Sequence, residues 1–179
     1  MSQPKLLLNT QQINLIVNRL ALQLVENHGD FSQTALVGLQ PRGVHFAKKI
    51  VDRIAQIAPS APLKYGELDH TFFRDDIGRG EIHIPRPSNM PFSTEKLRIV
   101  LIDDVLYTGR SVRASIDALM SFGRPAQIEL LVLINRRYQR ELPIEPTYIG
   151  TSIDSRNTEE YVKVDWTDQQ EHVLLLSNK

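Results

Sequence analysis

The chain has 179 residues and no cysteine, and its 21 Lys and Arg balance 21 Asp and Glu to a formal net charge of zero. That length fits a single domain, 1–179, with room for a sizeable core, and the lack of cysteine excludes disulfides and thiolate metal sites. No apolar run reaches membrane-spanning length and the N-terminus lacks the layout of a signal peptide, so the cytoplasm is the expected location; the neutral balance supplies no overall field for nucleic acid.

Asn9, with Gln12 three residues on, reads as a capped helix start. Ile13, Ile16, Val17, Leu20, Ala21 and Leu24 then share one helical face, and Gly29 ends the helix. Thr34 to Val37 is a short apolar strand, Gly38 to Gly43 a loop, and Val44 to Ile57 a second helix with Phe46, Ala47, Ile50, Val51 and Ile54 inward. Pro59 and Pro62 punctuate the turn before a strand at Lys64 to Leu68. Residues 70–95 are polar and rich in Gly, Pro, Arg and Asp, with one alternating piece at Glu81 to Ile84. An excursion this long in a compact domain is usually functional or mobile, and it reads as a flexible β-hairpin-like flap.

The next segment carries the most chemistry. Leu97 to Ile102 reads as a buried central strand, ended by Asp103 and Asp104. Thr108-Gly109-Arg110-Ser111 forms a small loop, and a helix from Ser111 to Phe122 follows at once. A helix start leaves backbone N–H groups without partners, and its dipole favours negative charge. Gly109 lets the backbone approach a phosphate, while Thr108 and Ser111 add hydroxyl donors and Ser111 can cap the helix. Like charge keeps Asp103 and Asp104 off the phosphate; they suit the hydroxyls of a ribose or a hydrated Mg2+. The plain alternative is an ordinary strand, turn and helix with solvated acids.

Ile128 to Ile134 is a strong strand, and Tyr148-Ile149, Tyr161 to Val164 and Val173 to Leu176 are shorter ones. Strands alternating with helices predict an α/β fold, a mostly parallel central sheet flanked by helices. Ligands in such sheets sit beyond the carboxyl ends of the strands. The loops after Val37, Leu68, Ile102 and Ile134 should therefore converge on one cleft. The five histidines show no metal-ligand spacing.

Residues 103–114, Asp-Asp-Val-Leu-Tyr-Thr-Gly-Arg-Ser-Val-Arg-Ala, resemble the PRPP-binding motif of type I phosphoribosyltransferases, in the wording of the pyrimidine-operon regulator branch. Gly38-Leu39-Gln40-Pro41-Arg42-Gly43 resembles its pyrophosphate loop, and residues 68–76, Leu-Asp-His-Thr-Phe-Phe-Arg-Asp-Asp, the start of its flexible hood. Gly123-Arg124-Pro125 and Arg140-Glu141-Leu142-Pro143-Ile144 also fit, so the resemblance covers residues 6 to 165.

The resemblance implies the type I phosphoribosyltransferase fold and the reaction of uracil with PRPP to give UMP and diphosphate, with Mg2+ as cofactor. Asp103 and Asp104 would orient the ribose and meet the metal indirectly, through ribose or water. Tyr107, Thr108, Gly109, Arg110, Ser111 and Val112 would hold the 5′-phosphate. Gln40, Pro41, Arg42 and Gly43 would form the pyrophosphate loop. Arg42 would hold the leaving pyrophosphate together with Arg74, which stands beside Asp75 and Asp76 where the flap begins. Asn135, Arg136 and Arg137 would recognise the base. Tyr107 stands where purine phosphoribosyltransferases usually carry an acid, which favours a pyrimidine. Pro41 removes one backbone donor and eases a cis bond, and Asn135 replaces the usual Asp with a neutral side chain.

The same branch includes attenuators that bind a leader-mRNA hairpin through a basic concave face of a dimer when UMP is present. The resemblance thus implies a homo-oligomer, and Arg19, Arg137 and Arg140 are the candidates for RNA contact. Asn18 and Leu22 stand where RNA-binding members have Thr and His, and Tyr138 near where they have His, which removes polar contacts. Three readings stay open from sequence: a uracil phosphoribosyltransferase, an RNA-binding regulator with little catalytic role, and a phosphoribosyltransferase for another base.

Overall fold

The computed structural model describes residues 4–75, 84–157, 159–167 and 170–177. In chain order the elements are β1 (Lys5–Leu8), α1 (Thr10–His28), β2 (Thr34–Leu39), α2 (Gly43–Ile57), β3 (Lys64–Leu68), a 3-10 turn (Thr71–Phe73), β4 (Arg98–Leu106), α3 (Arg110–Leu119), a second 3-10 turn (Met120–Phe122), β5 (Gln127–Arg136), β6 (Tyr148–Ile153), β7 (Glu160–Asp165) and β8 (His172–Ser177). Asn9 and Gln12 form the reciprocal capping box that opens α1, and Gly29 closes it with φ of 59°.

A five-stranded sheet in the order β3-β2-β4-β5-β6 is parallel throughout. Its inner strands read as continuous apolar runs because both faces are covered. Leu36, Val100, Ile102, Leu131 and Leu133 face the core shared with α1 and α2, whereas Ala35, Val37, Ile99, Leu101 and Val132 face the core shared with α3. The alternation of the pleat thus divides one apolar run between two cores.

Three expectations need correction. The last two strands do not join the parallel sheet: β7 and β8 pair antiparallel, and with β1, which the sequence pattern did not signal, they form a separate sheet ordered β1-β8-β7. Val162, Val164 and Val173 from this second sheet close over the first core. Next, the acids do not end the central strand. Pairing of β4 with β2 stops at Ile102, opposite Gly38, but pairing with β5 continues to Leu106, opposite Asn135. Asp103 and Asp104 therefore lie within a strand that is hydrogen-bonded on one side and open on the other. Finally, Ser111 does not cap α3; the N-cap is Gly109, and no side chain caps that end.

The predicted flap is described only at its base. Residues 76–83, including Asp76 and most of the Glu81 to Ile84 piece, lie outside the described residues. Glu67 and Asn89 exchange backbone hydrogen bonds of 2.8 Å as an antiparallel bridge. The Asp69 carboxylate joins the outgoing and returning segments, accepting from Thr71 N at 3.0 Å and Arg86 N at 3.2 Å.

Candidate active site

The carboxyl ends of β2, β3, β4 and β5 open onto a cleft of about 430 Å3, lined by Gln40, Pro41, Arg42, His70, Thr71, Arg74, Asp103, Asp104, Val105, Tyr107, Ser111, Arg136, Glu160, Tyr161 and Val162. Adjoining it is a cavity of about 280 Å3, which shares Arg74, Asp103, Val105, Tyr107 and Ser111 and adds Leu106, Thr108, Gly109, Arg110 and Val112. One compartment is walled by the acids and loops from several strands, the other by the helix-start loop. A larger open groove, about 780 Å3 between α1 and α2, contains none of the predicted site residues.

The small compartment is shaped by Gly109. Its φ of 92° is a left-handed conformation, and a Cβ there would meet Ile144 Cδ1 at 3.3 Å. Thr108 O accepts from Glu141 N at 3.0 Å and Leu142 N at 3.3 Å, so the 140–144 segment braces the loop from behind. The N-cap Gly109 supplies no side chain to the start of α3, and residues 108–112 line an anion-sized space there. The Arg110 guanidinium is held by Asp75 at 2.8 Å and Glu141 at 2.6 Å, and its backbone amide donates to Thr108 Oγ1 at 3.4 Å.

Gly43 sets the other wall. A Cβ at this position would lie 2.6 Å from Ile102 O and 2.9 Å from Asp103 Cα. Only glycine lets the start of α2 approach β4 at the acids. Arg42, at the N-cap of α2, is exposed and lines the cleft. The Gln40–Pro41 peptide is cis. Gln40 is buried, donates to Pro87 O at 3.0 Å from Nε2, and keeps its Oε1 without a partner.

Asp104 is buried, and its Oδ2 has no hydrogen-bond partner; Asp103 Oδ1 accepts from Asp104 N at 2.9 Å. Removal from water, together with the neighbouring Asp104 charge, pushes the Asp103 carboxyl well above the usual range. Burial raises Asp104 as well, and the Arg42 guanidinium partly offsets that rise. A cation or donor arriving at the unpartnered Oδ2 of Asp104 would be favoured.

From the flap base, Arg74 Nη1 donates to Ser111 Oγ at 3.0 Å. Arg113 binds Phe73 O at 3.2 Å and Asp75 at 3.4 Å, which fastens this segment to α3. Arg74 thus sits where the two compartments meet. Of the predicted base-binding residues, only Arg136 lines the cleft. Asn135 is buried and accepts from Arg140 Nη2 at 2.6 Å, while Arg137 forms a bidentate pair with Asp154 at 2.6 and 2.8 Å. Arg140 also donates to Tyr107 O, and Arg19 donates to Ile149 O at 3.1 Å and Gly150 O at 2.6 Å. The three arginines considered for RNA are each engaged within the chain.

Sequence reasoning missed His70, Thr71, Val105, Glu160, Tyr161 and Val162 as cleft residues. His70 and Thr71 lie inside the matched hood block and were within reach. Glu160 has one signal: it shares the inward face of β7 with Val162 and Val164, where an acid is out of place.

Residues 5–169 match the phosphoribosyl transferase domain. The chain is 40% identical to a bifunctional protein PyrR of Bacillus mycoides and 39% to one of Bacillus cereus, over 98% of both chains in each case. The chain belongs to the phosphoribosyltransferase family, in its PyrR group. Membership bears out the resemblance carried by residues 103–114, and with it the type I fold, phosphoribosyl transfer and PRPP as a substrate. Among solved structures, a hypoxanthine phosphoribosyltransferase of Staphylococcus aureus superposes with a TM-score of 0.66 at 23% identity, covering 86% of this chain and 80% of that one. One of Trypanosoma cruzi gives 0.68 at 15% identity, covering 87% and 80%. These two likenesses speak for the shared fold. No helix among the described residues is long and apolar enough to cross a membrane.

Proposed function

We propose that this phosphoribosyltransferase joins uracil to PRPP, giving UMP and diphosphate. The observation that carries the reading is the pair of adjoining compartments: the loop at the start of α3 on one side, and Asp103, the under-satisfied Asp104 and Arg42 on the other. The 5′-phosphate rests on residues 107–112, and the acids face the ribose hydroxyls. As the anomeric carbon loses pyrophosphate it becomes positively charged; Asp103 and Asp104 favour that charge, and Arg42 favours the departing anion. Arg74, set between the compartments, screens the reacting carbon from water. The N1 of uracil then bonds to the same carbon and gives up its proton to the departing pyrophosphate or to water. Tyr107, in place of the acid usual in purine enzymes, supports a pyrimidine.

The residues present fit Mg2+. Asp103 and the unpartnered Oδ2 of Asp104 are hard oxygen donors. No cluster of three or more acidic, His or Cys ligands occurs among the described residues, so Asp103 and Asp104 would hold the ion through ribose or water. When bound, the ion supplies charge neutralisation at the pyrophosphate.

The test is a panel of uracil, cytosine, orotate, hypoxanthine and guanine, each with PRPP and Mg2+. PRPP-dependent formation of UMP from uracil supports the reading, and turnover of a purine instead refutes it. A second role in UMP-dependent RNA binding by a homo-oligomer is favoured by the name "bifunctional" that the relatives carry. It predicts retardation of a pyrimidine-operon leader RNA that strengthens with UMP and weakens on Arg19→Ala.

A further inference from the structure

Glu160 is an acid in the cleft that the proposed chemistry leaves without a task. It opens β7 on the same face as Val162 and shares the cleft wall with Tyr107 and Arg136. Arg136 is 2% exposed, and its Cζ lies 4.2 Å from the centre of the Tyr107 ring. Arg136 Nη2 donates to Ser155 Oγ at 3.3 Å, and its Nε is buried without a partner. Ser155, 6% exposed, in turn donates to Glu160 Oε2 at 2.5 Å. The side chains form a line: an aromatic face, a cation against it, a hydroxyl, and a carboxylate at the far end.

A guanidinium offers five donors and no acceptor. Buried against a ring and one neutral hydroxyl, it is under-satisfied and costly unless a ligand completes its shell. Burial works against the Arg136 charge, and Tyr107 and Glu160 counter that effect. Glu160 also fixes the hydroxyl: with the Ser155 proton committed to the carboxylate, the lone pairs of Oγ must face Arg136. The guanidinium is thereby held in one orientation at the cleft wall.

We propose that Glu160 and Ser155 are positioning residues that hold Arg136 against a carbonyl oxygen of the pyrimidine, so that the site prefers a keto base to its amino analogue. The proposal rests on the uracil reading above and deepens it. A guanidinium pairs with the 4-keto oxygen of uracil, but it meets the 4-amino group of cytosine donor to donor. Discrimination then comes from a buried donor left unpaired by the wrong base, which costs more than a missing apolar contact.

The test is steady-state kinetics of the full chain with uracil, cytosine and PRPP varied in turn, for wild type, Glu160→Ala, Ser155→Ala and Glu160→Gln. Loss of an oriented, charge-assisted hydrogen bond predicts a rise of about tenfold in KM for uracil in both alanine variants. KM for PRPP stays unchanged, and the preference for uracil over cytosine falls. Glu160→Gln still accepts from Ser155 and recovers most of the uracil affinity. If the alanine variants do not fold, Glu160→Asp carries the test against Glu160→Gln: shortening by one methylene raises KM for uracil and the isosteric amide does not. Wild-type turnover of uracil with all variants unchanged, or with both KM values rising together, overturns this inference alone. A wild type that turns over no pyrimidine overturns the proposed function, and this inference with it.

Discussion

The two ends of the parallel sheet differ in how far they satisfy their buried polar side chains. At the amino ends of the strands, His28, Thr34, Arg98, Glu129 and Tyr148 form a network. His28 Nδ1 and Nε2 lie 3.0 Å from Thr34 Oγ1 and 3.1 Å from Tyr148 OH, Tyr148 donates to Glu129 Oε2 at 2.9 Å, and Arg98 Nη2 reaches Glu129 Oε1 at 2.9 Å. Apart from Arg98 Nε, every side-chain group of this network has its partner. At the carboxyl ends, Gln40 Oε1, Asp104 Oδ2 and Arg136 Nε are buried without one. Folding alone explains the first end. The second leaves polar atoms for a ligand or water to satisfy, since buried polar atoms left unpaired cost free energy.

The largest expected effect comes from satisfying the wrong end artificially. Asp104→Asn removes one of two adjacent carboxylates, so turnover with PRPP and uracil should fall by about 10²–10³-fold, by analogy with other electrostatic stabilisers of charged transition states. The thermal midpoint of the free protein should hold or rise. Loss of both folding and turnover would erase the contrast between the ends. Arg42→Ala should come next, raising KM for PRPP by about 10–100-fold through one lost charge-assisted contact, with KM for uracil little changed.

At the amino end the signs reverse. Tyr148→Phe leaves Glu129 and His28 short of a partner and should cost about 1–3 kcal/mol in denaturant unfolding, with turnover at the wild-type rate. A rate loss of similar size would mean that the network serves the site after all.

The pH dependence of stability sharpens the comparison. Burial lowers the His28 imidazole below its usual value. The folded chain resists that proton, so its contribution is present above about pH 6.5 and is lost as pH falls towards the depressed folded value. The acids act the other way. Their folded values are raised, so their contribution is present at low pH and is lost as pH climbs from the ordinary carboxylate range through the elevated ones. Thermal midpoints followed across pH should show the second slope flatten in Asp104→Asn and the first persist. The smallest effect is Arg137→Ala: this exposed pair with Asp154 should leave KM for uracil within about twofold of wild type, and a larger rise would return Arg137 to the base site.

Much of the carboxyl end was legible because its demands are local. Gly43 and Gly109 each answer to a single close approach, and both fall inside contiguous motifs. The helix boundaries of α1 follow from a cap written in four residues. What escaped depends on distant strands. The reach of β4 through Asp103 and Asp104 is set by its register with β5, and Glu160 meets Arg136 only because β7 folds back in a second sheet. β1 is four residues long, with one buried side chain, too little for its alternation to register against α1 beside it.

The most direct test of the account is a crystal structure with UMP bound. The 5′-phosphate should rest on the amides of residues 108–112, with the ribose hydroxyls turned to Asp103 and Asp104 and the base beside Arg136. A phosphate seated elsewhere, with Asp104 Oδ2 turned to a partner within the chain, would contradict it.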